Sequence, residues 1–572
     1  MTSRTRNHSR QSGPPSTESG YPGWVAPLGV VLVAVVPALG LLGHQFVFDS
    51  LTIIRDNPAV HSLAAPWQFF AREYWPPPYT GLYRPLSILL FALEWALGRG
   101  SPAVFHAGSV VLYAALSLAV YRLARLLLPR VAAVAAALLF AAHPLHTEAV
   151  ASAVNQSELL VALLLTLATI RYLTARRTAD GTPGPRDTLI ILALYILAIL
   201  AKESGIVLPG LLVAAELTVV GAGEGIRRRL ARVRPLYLAM VLTALVLIAV
   251  RGMVLGGDVV GTFTAESLAG QSLGGRALTM LSVVPEWFRL LFWPAHLQTE
   301  YAPREISPAM GWGQAQTRGV LLLALAALVT LRFRHRRPEA SLGLLWIAVA
   351  LVPVHNVLVP TGVILAERTL LLATVGAVIL AGAAVAWASD PERSSRTHAL
   401  AAGVLTAVSA LGLWRTANRY PVWRDQVTLF DSMVTDAPLS YKAHFGLADL
   451  LAQQGRRAEA EAEYRRAIDL YPPAVRVYQA LGDLYRRAGL CDPAIDTYTA
   501  GLAQSSSPDF DNVRRSLIAC LAYEGRYREA AAQARIGIAG GRDPVNFRRF
   551  LAAARRARAA GAPAGTVRLT ME

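Results

Sequence analysis

The sequence predicts an all-α membrane protein: a polytopic helical bundle of about eleven spans followed by an α-solenoid of short helical repeats. Three observations predict it. Long apolar segments recur over the first three quarters of the 572 residues, arginines gather at alternate junctions between them, and a period near 34 residues governs the remainder. Composition agrees, with 54% hydrophobic and 16% charged residues against roughly 45–50% and 25% in an ordinary globular chain. That balance excludes a disordered, collagenous or disulfide-framework protein. In a soluble chain the net charge of +17 would point to nucleic acid. Membrane topology explains it here, and no nucleic-acid partner is expected.

Residues 1-23 bear Ser and Arg and read as a disordered cytoplasmic tail. The spans fall at 24-43, 104-128, 131-144, 156-174, 187-201, 204-221, 236-254, 318-333, 341-357, 366-388 and 398-414, a transmembrane domain over 24-414. The first is an uncleaved helix, because no small-x-small cleavage site follows it. Between the first two lies an external loop, 44-103, whose segment 83-99 contains Glu94 and is too short to span. It is expected at the interface. Segment 277-293, with Pro285, Glu286 and Arg289, is expected to be re-entrant or surface-lying, since counting it as a span would put Arg332, Arg334, Arg336 and Arg337 outside.

Cytoplasmic loops retain positive charge. The clusters at Arg4–Arg10, Arg122–Arg130, Arg171–Arg186, Arg227–Arg234, Arg332–Arg337 and Arg393–Arg396 occupy every second junction if the N-terminus is inside. Eleven crossings then place the C-terminal region outside, as an integral protein of a bacterial cytoplasmic membrane.

After a linker at 415-437 the repeats occupy 438-541, about three units, before a C-terminal helix or tail at 542-572. Gly455, Gly489 and Gly525 recur at intervals of 34 and 36, each followed five residues later by Ala460, Ala494 or Ala530. Tyr464 and Tyr498 keep the same step, as do Leu447, Leu481 and Leu517. Small residues at such positions let paired helices cross closely, as in tetratricopeptide repeats. The array either presents a peptide or protein acceptor or caps the structure. Cys491 and Cys520 are either core packing residues or a disulfide.

Ionisable residues beside apolar segments cost several kcal/mol by most estimates, so each is a functional candidate. Four clusters share the predicted outer face: Asp49 in FVFDSLTIIRDN, His143, His146, Glu148 and Glu158 in HPLHTEAVASAVNQSE, Lys202 and Glu203 in AKESG, and His355, Asn356, Glu367 and Arg368 in PVHNVLVPTGVILAERT. The chain has 53 arginines but only two lysines, Lys202 and Lys442. A lysine at a membrane-edge turn serves either as a compact cation for a phosphate or as a snorkelling side chain.

FVFDSLTIIRDNPAV, YRPLSIL, FAAHPLHTEAV with NQSE, AKESGI and VPVHNVLVPTGVILAERTLLLATVG, followed by the repeats, resemble the transmembrane and tetratricopeptide repeat-containing protein O-mannosyltransferases. The resemblance is collinear over roughly 40 to 541. It implies a GT-C glycosyltransferase fold, a lipid-phosphate sugar donor, and transfer of mannose or another hexose to Ser or Thr hydroxyls of extracytoplasmic proteins. It also implies that Asp49 is the general base, that Arg84 of YRPL, Lys202 and Arg368 neutralise the donor phosphate, and that His143, His146, Glu148, Glu158, Glu203 and Glu367 serve the sugar or acceptor. The family's paired acids at the head of the first loop are Asp49-Ser50 here. If the family's second acid is the base, this chain is impaired or uses another group; if it is the first, Asp49 suffices. The arginine common before the fourth-helix acid is replaced by Gln156 and Ser157, and the aromatic residue common after the Glu-Arg pair by Leu370.

No P-loop, dinucleotide-binding loop or serine-hydrolase elbow is present in the sequence, so soluble nucleotide donors are not expected. His143 and His146 share a helical face but lack a third ligand at metal spacing, so neither a divalent metal nor another cofactor is expected. Two other classes fit the same sequence: an envelope lipid-linked saccharide ligase or polymerase, and a non-enzymatic membrane scaffold or transporter with peptide-binding repeats.

Overall fold

A computed structural model describes residues 22–77, 81–177, 181–220, 225–257, 263–504, 511–540 and 543–569. Most of the predicted N-terminal tail lies outside the described residues. The ordered elements among them are helical. They run α1 (Val25–Val35, extended by a 3₁₀ turn to Gly43), α2 (Pro85–Gly98), α3 (Pro102–Leu127), α4 (Arg130–Ala141), α5 (Thr147–Ala151), α6 (Gln156–Ala175), α7 (Pro185–Ala201) and α8 (Leu208–Thr218). Next come α9 (Ile226–Val254), α10 (Leu273–Phe292), α11 (Gln314–Phe333), α12 (Pro338–Leu351), α13 (Leu371–Ala388), α14 (Ser395–Arg419) and α15 (Gln426–Asp436). The repeats are α16 (Tyr441–Gln453), α17 (Arg457–Leu470), α18 (Val475–Arg487), α19 (Cys491–Ala503), α20 (Asp511–Tyr523) and α21 (Tyr527–Gly540), followed by a C-terminal helix α22 (Pro544–Ala559).

Seven of these helices are long and apolar enough to cross a bilayer, and α4 with the following 144–151 segment, bent by 43°, makes an eighth. The expected count of eleven is thus not matched by full-length helices. Predicted spans 187-201, 204-221 and 341-357 correspond to α7, α8 and α12, with 17, 11 and 14 residues. The physical reason is local. After α7 the chain leaves the α conformation at Lys202 and makes a 3₁₀ turn over Glu203–Val207, and after α12 Pro353 enters another 3₁₀ turn. Prolines and turn-forming polar residues shorten helices that an apolar letter count extends.

The segment 277-293, expected to be re-entrant or surface-lying, falls almost wholly within one unbroken helix, α10, which agrees with the helical alternative and not with a re-entrant loop. It buries Met280, Val283, Val284, Trp287 and Leu291 along one face, an amphipathic pattern. The 83-99 segment is the short helix α2, as its length predicts, with Glu94 buried and accepting from Gln156 Nε2 at 2.9 Å. The predicted linker 415-437 carries a 3₁₀ turn and α15. Trp423, Leu429, Phe430 and Met433 are buried in the core of the membrane bundle, which is where α15 fastens the repeats.

Close helix crossings use small residues, as in other membrane bundles. A Cβ on Gly343 of α12 would come within 2.6 Å of the Gly376 carbonyl of α13, and one on Gly376 within 2.4 Å of the Gly343 carbonyl. Only hydrogen fits at that crossing. The repeats use the same device: a Cβ on Gly482 would strike the ring of Tyr498 at 2.3 Å. Helices α16 to α21 form three consecutive antiparallel hairpins at the predicted period, and α22 packs Phe547 and Phe550 into the end of their core. Cys491 and Cys520 are buried there as free thiols.

Candidate active site

At one end of the bundle a cavity of about 340 Å³ opens between the first loop, the α7–α8 turn and the α12–α13 connection. Each of these walls is a place where helix geometry breaks down. The first loop enters through Phe48, whose φ of 53° is left-handed, a conformation costly for a bulky side chain. Asp49 and Ser50 follow, and then a short π-helical turn, Leu51–Arg55, anchored by buried Ile53 and Ile54. π-helical turns gather at functional sites because they re-aim side chains.

The two residues at the head of the loop take different surroundings. Asp49 lines the cavity, whereas Ser50 is buried behind it and its Oγ accepts from the Val154 N–H at 3.3 Å. The acid that this chain keeps is therefore the one at the cavity, and the serine occupies a site that faces protein. Among the described residues the Asp49 carboxylate has no hydrogen-bond or ion-pair partner. Burial raises its pKa above the ordinary carboxylate range, opposed chiefly by Arg368 and reinforced by Glu300 and Glu148.

Four cations line the cavity among the described residues: Arg84, Lys202, Arg251 and Arg368. Arg84, Lys202 and Arg368 each have a carboxylate partner. Arg84 grips Glu203 with Nε at 2.9 Å and Nη2 at 2.5 Å, and its guanidinium lies 5.0 Å from the centre of the Tyr74 ring. Lys202 pairs with Glu158 at the start of α6. Arg368 pairs with Glu148 through its guanidinium, and its backbone N–H donates to Glu148 Oε2 at 2.8 Å. Burial acts against the charge on Glu203, but Arg84 and Lys202 outweigh it and hold its pKa below the usual range.

Glu148 and Glu158 do not line the cavity; they stand behind Arg368 and Lys202 and orient them. A guanidinium has five N–H donors, so a single carboxylate partner leaves donors over. Among the described residues the walls therefore bring four positive groups and two carboxylates, Asp49 and Glu203, to the space itself. The arrangement suits a dianionic or monoanionic ligand head held next to an unpaired carboxylate.

The remaining predicted residues lie away from this space. His146 is buried in the bundle, its Nδ1 2.9 Å from Tyr113 Oη and its Nε2 2.8 Å from Thr374 Oγ1. Both nitrogens are satisfied. His143 accepts from the Leu145 N–H at Nδ1, which leaves Nε2–H to donate to the Leu291 carbonyl at 3.2 Å. Its ring faces a second, apolar recess against α14 and not the Asp49 cavity. Glu367 is buried and turned the other way, accepting from the Gln298 N–H at 2.5 Å and Tyr301 Oη at 3.3 Å.

Several lining residues went unread in the sequence, among them Tyr74, Asn155, Thr369 and Arg251. Arg251 did leave a signal. It sits at the predicted outer end of an apolar segment, where the arginine pattern calls for none. Asn356, one of the fourth cluster's polar residues, was given no individual role by the sequence. It is fully buried at a φ of 56°, donates to the Val354 and Val363 carbonyls, and accepts from the Thr361 N–H at 2.6 Å. It thereby folds the α12–α13 connection into a cavity wall.

With this geometry in place, likeness to known proteins becomes informative. Residues 85–253 match the family described as dolichyl-phosphate-mannose-protein mannosyltransferase. Protein O-mannosyl-transferase F38B6.6 of Caenorhabditis elegans is 25% identical over 453 residues, covering 77% of this chain and 62% of the relative. Human protein O-mannosyl-transferase TMTC1 is 26% identical over 495 residues, covering 78% and 55%. The Drosophila melanogaster protein Tmtc2 is 37% identical over a shorter stretch of 224 residues, 37% of this chain and 23% of that protein. The chain thus spans about half to three fifths of the length of the first two relatives. An apo oligosaccharyltransferase structure from Archaeoglobus fulgidus aligns at 17% identity with a TM-score of 0.40, over 70% of this chain and 57% of that one. The resemblance read from the motifs to the transmembrane and tetratricopeptide repeat-containing O-mannosyltransferases is borne out over most of the chain.

Proposed function

We propose that this protein is a membrane glycosyltransferase that moves a hexose, mannose in the first instance, from a polyprenyl-phosphate donor to Ser or Thr hydroxyls of proteins outside the cytoplasm. The observation that carries the reading is the unpaired Asp49 carboxylate beside four cations in one cavity. Transfer from a lipid phosphate needs both. The acceptor hydroxyl attacks C1 of the sugar as Asp49 takes its proton, and the C1–O bond to phosphate breaks with the electron pair leaving on the polyprenyl phosphate. One displacement inverts C1.

Arg368, Lys202 and Arg84 meet the negative charge that develops on the leaving phosphate, and Arg251 joins them. Such charge stabilisation works best when the donors are held before the reaction, and the backing carboxylates of Glu148, Glu158 and Glu203 do this. Asp49 suits a base because burial lifts its proton affinity above that of a free carboxylate. His143 and His146 take a framework role in this scheme, and Glu367 fixes the loop that precedes α11.

The arginine pattern puts the cavity on the non-cytoplasmic side, where lipid-linked sugars and secreted acceptors meet. The test is mass spectrometry of extracytoplasmic proteins from cells with and without the protein. Loss of a single hexose from Ser or Thr sites is expected. Unchanged protein glycans together with an altered envelope polysaccharide would overturn the protein-acceptor reading in favour of a saccharide ligase.

A further inference from the structure

The second lysine of the chain also has a defined place. Lys442, in the first turn of α16, bridges two carboxylates from the segment that precedes α11, with its Nζ 3.2 Å from Glu266 Oε1 and 3.3 Å from Glu300 Oε1. Tyr441 Oη donates to the same Glu266 oxygen at 2.8 Å. Around this bridge the Leu439 N–H donates to Glu305 Oε1 at 3.0 Å, Arg304 Nη2 donates to the Asp469 carbonyl at 3.1 Å, and Ala302 is buried within the repeat core. The 263–306 segment is thus clamped to the first repeat.

The other side of the same segment reaches the cavity. Phe263 lines it, and the Ala265 N–H donates to the Thr361 carbonyl at 2.8 Å, beside the wall that Asn356 builds. The Gln298 N–H and Tyr301 Oη both donate to Glu367, whose neighbour Arg368 lines the cavity. Glu300 lies between these two donors, so its charge faces Lys442 on one side and the Asp49 region on the other. Burial opposes the charge of Lys442, but Glu300 and Glu266 outweigh it and raise its pKa, so the ammonium persists at neutral pH.

We propose that Lys442 is a positioning residue for the cavity: by pairing with Glu266 and Glu300 it seats the 298–301 segment on Glu367 and so holds the Arg368 wall, making the first repeat a working part of the active site. The proposal rests on the glycosyltransferase reading above. It makes the repeats more than a tethered recruiting arm, because one of their side chains sets the charge balance next to the chemistry. Asp49 is faced electrostatically by Arg368, Arg84, Glu300, Glu148 and Tyr74, with Lys202, Glu203 and Arg251 on the same cavity walls. Lys442 itself is faced by Glu266, Glu300, Tyr441 and Tyr471. Removing its charge leaves Glu300 uncompensated and further disfavours ionised Asp49.

The test uses the full chain in detergent or nanodiscs, with a synthetic polyprenyl-phosphate mannose and a Ser/Thr peptide, and records kcat and KM across pH. K442M is expected to move the acid limb of kcat/KM upward by about one pH unit, which is about tenfold in rate below that limb. K442R is expected to keep the wild-type limb. E300Q shifts the limb downward, and K442M/E300Q returns it toward wild type. An unmoved limb in K442M, or equal damage in K442M and K442R with no shift in either, overturns the positioning role. D49N separates the two levels of the account: if it abolishes transfer while K442M behaves as wild type, only the Lys442 proposal falls. If D49N transfers normally, the catalytic reading and this proposal fall together.

Discussion

The two ends of α6 hold two buried ionic clusters about 25 Å apart by helix rise, and they differ in one respect that separates chemistry from framework. At the far end Glu216 accepts from Tyr172 Oη at 2.6 Å, from Arg176 Nε at 2.6 Å and from Arg176 Nη2 at 3.2 Å, with Arg229 3.9 Å away. That carboxylate is wholly buried and fully partnered. At the cavity end Glu158 also has its cation, Lys202, but the neighbouring Asp49 has none. A carboxylate with both oxygens paired ties helices α6, α8 and α9 together. An unsaturated one beside open space has capacity left for a ligand.

The difference can be broken from the far end first. Replacing Glu216 with Ala strands Arg176 in the bundle, and uncompensated buried charge costs about 3–5 kcal/mol. A large drop in melting temperature is expected, with the transfer rate per folded molecule unchanged. A loss of turnover without loss of stability would put chemistry where the comparison puts only structure. At the cavity end, R368K keeps the charge but loses the guanidinium fork that meets both Glu148 and a phosphate. Transfer is expected to fall about tenfold, the worth of a weakened charged hydrogen bond, and isothermal titration with polyprenyl phosphate should show the loss in binding.

The pH profile sharpens the contrast. A base must be ionised, so kcat/KM rises with pH through the pKa of Asp49, and burial lifts that pKa above the ordinary value of about 4. The acid limb is expected above the ordinary carboxylate range in wild type and unmoved in a conservative far-end variant such as E216Q. The smallest effect belongs to Ser50. S50A leaves the Val154 N–H without its acceptor and is expected to cost about 1 kcal/mol of stability. Its transfer rate should stay within about twofold of wild type, since Ser50 does not reach the cavity; a larger loss would assign the second position of the pair a direct role.

Much of this was readable in the sequence because the relevant residues come as local motifs. DSLTIIRDN, YRPL, AKESG and the Glu-Arg pair each sit where an apolar run stops, and the structure brings Asp49, Arg84, Lys202 and Arg368 to one cavity. Partnerships were not readable. Arg84 meets Glu203 across 119 residues and Arg368 meets Glu148 across 220, and no periodicity encodes such pairings. The histidines of HPLHTE looked like site residues by type, yet Tyr113 and Thr374 from other helices satisfy His146. Lys442 stood out by its rarity, but its purpose depends on Glu266 and Glu300 in a segment with no distinctive motif. Helix lengths were not readable for the same reason: composition marks apolar stretches, while prolines and 3₁₀ turns decide where helices end.

The central claim is that the Asp49 carboxylate performs the proton transfer. The most direct measurement is single-turnover transfer of labelled mannose from polyprenyl phosphate to a Ser/Thr peptide by purified wild-type and D49N protein, with thermal melting on the same samples. General-base loss predicts a fall of about 10²–10⁴ in rate. Because the folded-state pKa of Asp49 is raised, ionising it costs stability as pH rises through that value. D49N should therefore melt at or above the wild-type temperature at neutral pH. A D49N protein that transfers mannose within a few-fold of wild type, or one that is inactive only because it has unfolded, would contradict the account.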